Sequence, residues 1–189
     1  MKNKLEIEKK YKVNNSSVEE LTKKIEKIGA VFAGDKDQLD IYFNVPGRDS
    51  FTSKECLRIR SSDTGKEITY KPSTREEYVD KGFFAKKEIN LPINDVGIAK
   101  ILLQDIGCTI LAEVKKRRRQ FRLDKFKICI DNINNLGLFI EIEIMDVFDN
   151  IQKSVKEIDK LMSSLNLINY SLEDKPYRDL VMAKEKGGR

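Results

Sequence analysis

The chain has 189 residues, which is enough for one domain with a substantial core. Charged residues make up 35% of it, yet 36 Lys and Arg nearly balance 31 Asp and Glu, and this balance argues against a dedicated nucleic-acid binder. The chain contains no histidine, which excludes histidine-based zinc sites and Ser-His-Asp triads and leaves carboxylates to hold any metal ion.

The cysteines and the apolar segments predict the compartment. Cys56, Cys108 and Cys129 are scattered without metal-ligand spacing, which is typical of reduced thiols in a cytoplasmic protein. The first residues lack the apolar region of a signal peptide, and no stretch approaches the roughly 20 apolar residues of a membrane span. We therefore expect a soluble cytoplasmic protein without membrane contact.

Residues 5–13 predict a first strand with one apolar face and one charged face. Its apolar face carries Leu5, Ile7, Tyr11 and Val13, and its charged face carries Glu6, Glu8, Lys10 and Lys12. Carboxylates two residues apart on a strand lie roughly 6.5–7 Å from each other, which suits joint binding of a hard cation. An amphipathic strand with its charges in water shows the same pattern, and the first strand alone favours that simpler interpretation.

Helical patterns follow at three places, with a short fourth one near the end. The first helix begins at a capping box formed by Ser17 and Glu20 and ends at Gly29. The second begins at Asn94 or Asp95 and ends at Gly107, and the third covers about residues 150–165. The apolar side of the second helix is predicted to consist of Val96, Ala99, Leu102, Leu103 and Ile106. A short helix is expected at 176–182, followed by a frayed tail at 184–189.

The remaining strands repeat the alternation of the first. They are predicted at 38–43, 56–60, 67–71, 83–91, 113–123, 126–131 and 138–145, and a polar, mobile loop is predicted at 73–81. Their polar faces are concentrated into pairs such as Arg-x-Arg, Lys-x-Arg and Glu-x-Glu rather than mixed with Thr and Ser. A sandwich with its charges in water fits this pattern, and so does a closed barrel with a charged lumen and an apolar exterior covered by helices.

Several short motifs occur in an order that resembles the CYTH superfamily, the triphosphate tunnel metalloenzymes. The motifs are Glu6-x-Glu8-x-Lys10, Asp40 to Phe43, Arg58-Ile59-Arg60, Thr69-Tyr70-Lys71, Lys86-x-Glu88, Lys116-x-Arg118, Asp131 and Glu141-x-Glu143. The resemblance extends from Leu5 to about Met182, so residues 1–183 are predicted to form a single domain. Within the superfamily, residues 40–49 and 177–180 look most like the class IV adenylyl cyclase branch.

The resemblance implies an α+β fold in which eight antiparallel strands form a closed barrel with a charged lumen and helices packed outside. It implies triphosphate binding by Lys10, Arg58, Arg60, Lys71, Lys116 and Arg118, with Glu8 and Lys10 also catalytic. It implies Mg²⁺ or Mn²⁺ bound by Glu6, Glu8, Asp131, Glu141 and Glu143, and support from Asp40 and Glu88. These residue types suit the binding of a triphosphate together with a metal ion. Arginine and lysine bind phosphate oxygens, and a divalent cation relieves the repulsion between clustered carboxylates.

The activity implied by the resemblance has two versions. In a class IV-like adenylyl cyclase, the 3′-hydroxyl of ATP attacks the α-phosphate and pyrophosphate leaves. In a triphosphatase, water attacks the terminal phosphate of tripolyphosphate, thiamine triphosphate or a nucleoside triphosphate. A non-catalytic module that binds polyphosphate or nucleotides is a third hypothesis, which the carboxylates argue against because anion binding alone needs only the basic residues. A homodimer is plausible for this branch.

Overall fold

A computed structural model describes residues 4–49, 55–72, 83–147 and 150–187. The strands are β1 (Lys4–Val13), β2 (Val31–Asn44), β3 (Cys56–Ser62), β4 (Gly65–Lys71), β5 (Phe84–Lys86), β6 (Ile89–Pro92), β7 (Thr109–Leu123), β8 (Phe126–Ile133), β9 (Gly137–Val147) and β10 (Tyr170–Leu172). The helices are α1 (Val18–Lys27), α2 (Val96–Asp105), α3 (Ile151–Ser164) and α4 (Tyr177–Gly187). The loop predicted at 73–81 lies outside the described residues.

The strands form one antiparallel sheet in the order β10-β1-β9-β8-β7-β2-β3-β4-β6, with β5 paired to β1. Only Lys87 and Glu88 separate β5 from β6, yet β5 pairs with β1 whereas β6 pairs with β4. The sheet is therefore strongly curled, because one short segment reaches strands that stand far apart in the order. The described sheet has ten strands instead of the predicted eight, since the predicted strand at 83–91 is divided into two and β10 is added.

The apolar face of each long strand is covered by helices on the outside of the curl. Ile7 of β1 and Ile142 of β9 are completely buried in a cluster that also contains Leu21 of α1 and Ile158 of α3. A second cluster lies under α2, where Leu103 packs with residues of β2 and β3. The charged faces are thereby left on the inner, concave side of the sheet, as the alternation of residue types predicted.

Helix α1 begins and ends as its sequence predicted. Ser17 Oγ accepts a hydrogen bond from the Glu20 amide, and the Glu20 carboxylate accepts one from the Ser17 amide. Gly29 has φ +90°, a conformation that residues with a side chain rarely adopt, and it follows the last helical turn. The capping box and the terminal glycine are confirmed. At the other end of the chain, α4 continues to Gly187, so part of the tail predicted as frayed is helical.

Helix α2 buries a narrower face than its sequence predicted. Its N-cap is Asp95, whose side chain accepts a hydrogen bond from the Ile98 amide. Ala99 and Leu103 are buried, but Leu102 and Ile106 are 55% and 62% exposed, so their predicted place on the buried side was wrong. Helices in the described ranges also lack the length and apolar character that a membrane span would require.

Replacement of Ile142 by Ala should destabilise the fold strongly. The side chain is 0% exposed in the main cluster, so its loss removes buried apolar area and leaves a cavity. We expect the free energy of unfolding to fall by about 2–5 kcal/mol, measured by urea denaturation. The matched control is Ile98→Ala on the exposed surface of α2, where the same truncation should change stability by less than about 0.5 kcal/mol. Equal losses in the two variants would contradict the assignment of the core.

Candidate active site in the charged cavity

A cavity of about 460 Å³ occupies the concave side of the sheet. Eleven of the thirteen site residues predicted from the sequence line it: Glu6, Glu8, Lys10, Arg58, Arg60, Lys71, Glu88, Lys116, Arg118, Glu141 and Glu143. The other two, Asp40 and Asp131, are completely buried and form ion pairs with cationic residues of the wall. The structure thus brings together the thirteen residues that the motifs singled out.

Three carboxylates form an acidic triplet at this wall. Glu6 and Glu8 lie on one face of β1, and Glu143 of β9 stands directly opposite Glu8 in the strand register. One carboxylate oxygen from each residue lies within 4.8 Å of the other two. Three converging carboxylate oxygens are ligands that Mg²⁺ and Mn²⁺ accept, so this donor set fits a hard divalent cation.

The acidic triplet is electrostatically strained. Burial raises the pKa of Glu6 well above its usual value, and the carboxylates of Glu143 and Glu8 act in the same direction. Burial likewise raises the pKa of Glu8, with further contributions from Glu141 and Glu143. Additional positive charge at this position would therefore favour the ionised forms of both side chains.

Two lysines contact the acidic triplet, Lys71 from β4 and Lys127 from β8. Lys71 Nζ lies 2.5 Å from Glu6 Oε2 and 2.9 Å from Glu88 Oε2. Lys127 Nζ lies 2.6 Å from Glu143 Oε2. Burial alone would lower the pKa of each ammonium, but Glu6 and Glu8 raise that of Lys71, and Glu143 raises that of Lys127. Both lysines are therefore held charged beside the carboxylates.

Asp131 and Glu141, which were also predicted as metal ligands, both contact a guanidinium. Arg118 donates to both oxygens of Asp131 over 2.7 and 2.5 Å and also donates to Glu141 Oε2. Burial alone would raise the pKa of Glu141, yet Arg118 and Lys116 hold it well below its usual range. The third contact of Arg118 is longer, with Nη1 at 3.6 Å from Glu143 Oε1. The predicted acidic wall is thus divided between the triplet and a buried ion-pair network.

Asp40 holds three cationic side chains of the wall in place. Arg60 donates to both of its carboxylate oxygens over 2.6 and 2.8 Å, and Arg58 and Lys116 lie 3.8 and 3.7 Å away. Burial alone would raise the pKa of Asp40, but Arg58 and Arg60 hold it well below its usual range. Since the carboxylate stays ionised, it attracts these three cationic side chains, all of which line the cavity.

Lys10 lies near one end of the cavity, where the wall becomes apolar. Its ammonium donates to the carbonyl oxygen of Lys175 over 2.5 Å and lies 4.3 Å from the ring centre of Tyr177. Tyr177, at the start of α4, packs against Phe139 and donates its hydroxyl to Asp131 over 3.0 Å. An apolar cluster at this end also contains Val114. Because Val114 has the same strand parity as Lys116 and Arg118, alternation alone could not reveal that this part of the wall is apolar.

Four cationic residues of the wall had been given no predicted role: Lys86, Arg122, Lys125 and Lys127. Burial lowers the pKa of Lys86 to about 8. The inward orientation of Lys127 could have been predicted, because it has the same parity as Asp131 on β8; its place opposite Glu143 follows only from the strand register. Lys125 follows β7 in the turn before β8, so no strand alternation could place it.

Comparisons with known proteins agree with this architecture. The CYTH domain family model matches residues 4–177. The candidate adenylate cyclase MJ0240 of Methanocaldococcus jannaschii is 29% identical over 178 residues, covering 93% of this chain and 98% of the relative. Adenylate cyclase CyaB of Aeromonas hydrophila is 25% identical over 177 residues, covering 93% and 87%. The structure of the PH1819 protein of Pyrococcus horikoshii OT3 superimposes with a TM-score of 0.80 at 28% identity, covering 95% of this chain and 99% of the other.

Proposed function

The chain belongs to the CYTH domain family, and on that premise we propose that it is a divalent-cation-dependent enzyme that converts ATP to cyclic AMP and pyrophosphate. The family match spans most of the chain, and two relatives that it covers over most of their length carry adenylate cyclase names. The cavity with its acidic triplet is the proposed active site.

The charge of the wall is the observation that carries the proposal. Among the described residues, ten Lys and Arg but only five Glu line the cavity. Even with the two buried aspartates behind the wall counted, positive charge is in excess. A triphosphate brings about four negative charges, and phosphoryl chemistry depends mainly on positioning and charge neutralisation. The excess therefore fits a triphosphate rather than a cationic or neutral ligand.

The acidic triplet of Glu6, Glu8 and Glu143 is the proposed place for Mg²⁺ or Mn²⁺. When bound, the cation would neutralise charge on the phosphate oxygens and polarise the phosphoryl group under attack. Asp131 and Glu141 would contribute indirectly, because they hold Arg118 in position beside Glu143.

A closed tunnel is the proposed form of the active protein. The segment that contains β5 and β6 pairs with β1 and with β4, which supports closure of the curled sheet around the cavity. Glu88 lies between those two strands and reaches Lys71 and Arg58, at 2.9 and 3.9 Å. Closure would exclude water from the reacting phosphates and strengthen the electrostatic interactions with them.

In the proposed reaction the 3′-oxygen of ATP forms a bond to the α-phosphorus and the bond from that phosphorus to the bridging oxygen of pyrophosphate breaks. Arg58, Arg60 and Lys116 are preorganised by Asp40 to receive the charge that develops on the leaving pyrophosphate. The proton of the 3′-hydroxyl passes to a carboxylate at the wall, for which Glu8 is the proposed acceptor, while the ammonium of Lys10 is proposed to stabilise negative charge on the phosphate groups.

Hydrolysis of a triphosphate is the second candidate function, and the aromatic residues of the cavity favour it. The ammonium of Lys10 lies over the rings of Tyr177 and Phe84, and Lys116 also lies over Tyr177 at 4.9 Å. These ring faces are already engaged by cations, which leaves less aromatic surface for stacking an adenine. In this reaction water would attack the terminal phosphorus within the same charged wall.

Product analysis separates the two functions. The purified protein is incubated with Mn²⁺ or Mg²⁺ and, in separate reactions, with ATP, tripolyphosphate or thiamine triphosphate. We expect cyclic AMP and pyrophosphate as the main products from ATP, detected by chromatography, and no turnover when the divalent cation is removed by a chelator. Rapid cleavage of tripolyphosphate without any cyclic AMP from ATP would overturn the cyclase proposal in favour of the hydrolase.

A further inference from the structure

We propose that Lys71 and Lys127 are exchangeable counter-cations of the acidic triplet, so that binding of a divalent cation releases them to bind the phosphate groups. This inference rests on the proposed function and adds to it a coupling between two binding events. It also gives Lys127, which no motif singled out, a specific part in substrate binding.

The contacts of the triplet carry the inference. Its two outer members each have an ammonium within hydrogen-bond distance: Lys71 at 2.5 Å from Glu6 and Lys127 at 2.6 Å from Glu143. These carboxylate oxygens belong to the same residues whose oxygens converge within 4.8 Å. A divalent cation and the two ammoniums therefore compete for one set of ligands.

The strand register keeps the released lysine in the cavity. Glu8, Glu143 and Lys127 stand in one cross-strand row over β1, β9 and β8, and Arg122 of β7 stands beside Lys127 in the same row. Lys127 is thus fixed between the triplet and a second cation that lines the cavity. When its carboxylate is taken by a divalent cation, its nearest alternative partner is an anion in the cavity.

The charge balance gives the exchange its direction. Without a divalent cation, the two lysines are neutralised by glutamates and contribute little to anion binding. With the cation bound, its two charges replace theirs at the triplet. Lys127 then becomes available to phosphate oxygens, and so does Lys71, which keeps its contact with Glu88 at 2.9 Å and has further donors to offer. Cation and anion must then raise each other's affinity by the same factor, because coupling between two binding sites is reciprocal.

Calorimetric titrations of Lys127→Met test the exchange. We expect Mn²⁺ alone to bind this variant several-fold more tightly than the wild-type protein, since a competing ammonium has been removed. The affinity for imidotriphosphate, a triphosphate with P–N–P linkages that resist hydrolysis, should fall about tenfold in Mn²⁺-loaded protein but less than about twofold in metal-free protein. The control is Lys115→Met on the exposed face of β7, which should change neither affinity.

The outcomes distinguish the exchange from simpler roles of Lys127. If Lys127→Met weakens imidotriphosphate binding by the same factor with and without Mn²⁺, Lys127 is available to the anion whether or not the cation is bound. That result would overturn the exchange. Unchanged or weaker Mn²⁺ binding to metal-free Lys127→Met would overturn it as well, whereas Lys127→Arg should restore the wild-type Mn²⁺ affinity. If the wild-type protein binds neither Mn²⁺ nor imidotriphosphate, both the proposed function and the exchange fail. If the wild-type protein shows the coupling but turns over no triphosphate, only the proposed function fails.

Discussion

Replacement of Glu8 by Gln is expected to lower turnover by about 100-fold or more, which corresponds to about 2.7 kcal/mol of activation free energy. Glu8 is a member of the acidic triplet and the proposed acceptor of the 3′-hydroxyl proton, and the amide supplies neither a negative charge beside the divalent cation nor a base for that proton. Turnover is measured under saturating Mn²⁺ and substrate with the product assay described above, so that weaker cation binding does not by itself account for the loss.

The folded state of Glu8→Gln should remain intact. Burial and the neighbouring carboxylates raise the pKa of Glu8, which means that its ionised form opposes folding at neutral pH in the metal-free protein. We therefore expect an unchanged or higher melting temperature without a divalent cation. The matched control is Glu113→Gln on the exposed face of β7, with wild-type turnover. Equal, mild losses in both variants would mean that the inward face of β1 has been misassigned.

Replacement of Arg118 by Met is expected to reduce the free energy of unfolding by about 3–5 kcal/mol, because it removes the guanidinium that neutralises two buried carboxylates. The guanidinium is 4% exposed and donates to both oxygens of Asp131 and to Glu141. Urea denaturation measures the loss. Arg118→Lys keeps the charge but not the two parallel hydrogen bonds, and should lose about half as much.

The neighbouring arginine provides the control for this prediction. Arg117 points to the other side of β7, with a side chain that is 68% exposed and an ion-pair distance of 3.9 Å to Asp35. Exposed ion pairs contribute about 0–1 kcal/mol, so Arg117→Met should have little effect on stability. If the two methionine variants lost equal stability, the network around Arg118 would not be the buried structural unit that its contacts indicate.

The alternation of residue types predicted most of the fold. Ile7 and Ile142 faced the helices and Glu8 and Glu143 faced the cavity, as their parity required. Strand alternation is a local property of the extended backbone, so it can be read without knowing which strands become neighbours. The capping box of α1 is equally local, and it was predicted correctly for the same reason.

The partners of the charged residues could not be predicted in this way. Asp131 was grouped with Glu6 and Glu8 as a metal ligand, yet it lies against Arg118 and Tyr177. The parity of a residue along its strand indicates that its side chain faces the cavity. It does not indicate how far along the cavity that side chain lies. That depth depends on the register between strands that are distant in sequence.

The sequence by itself determined which face of each strand is charged, where three helices begin, and that thirteen charged residues belong to one site. Only the tertiary structure decided that Glu6, Glu8 and Glu143 converge while Asp131 and Glu141 are bound by an arginine. It also revealed Lys127 beside Glu143 and the apolar end around Tyr177. Alternation follows from each residue's own backbone, whereas these contacts depend on hydrogen-bonded register across β1, β9, β8 and β7.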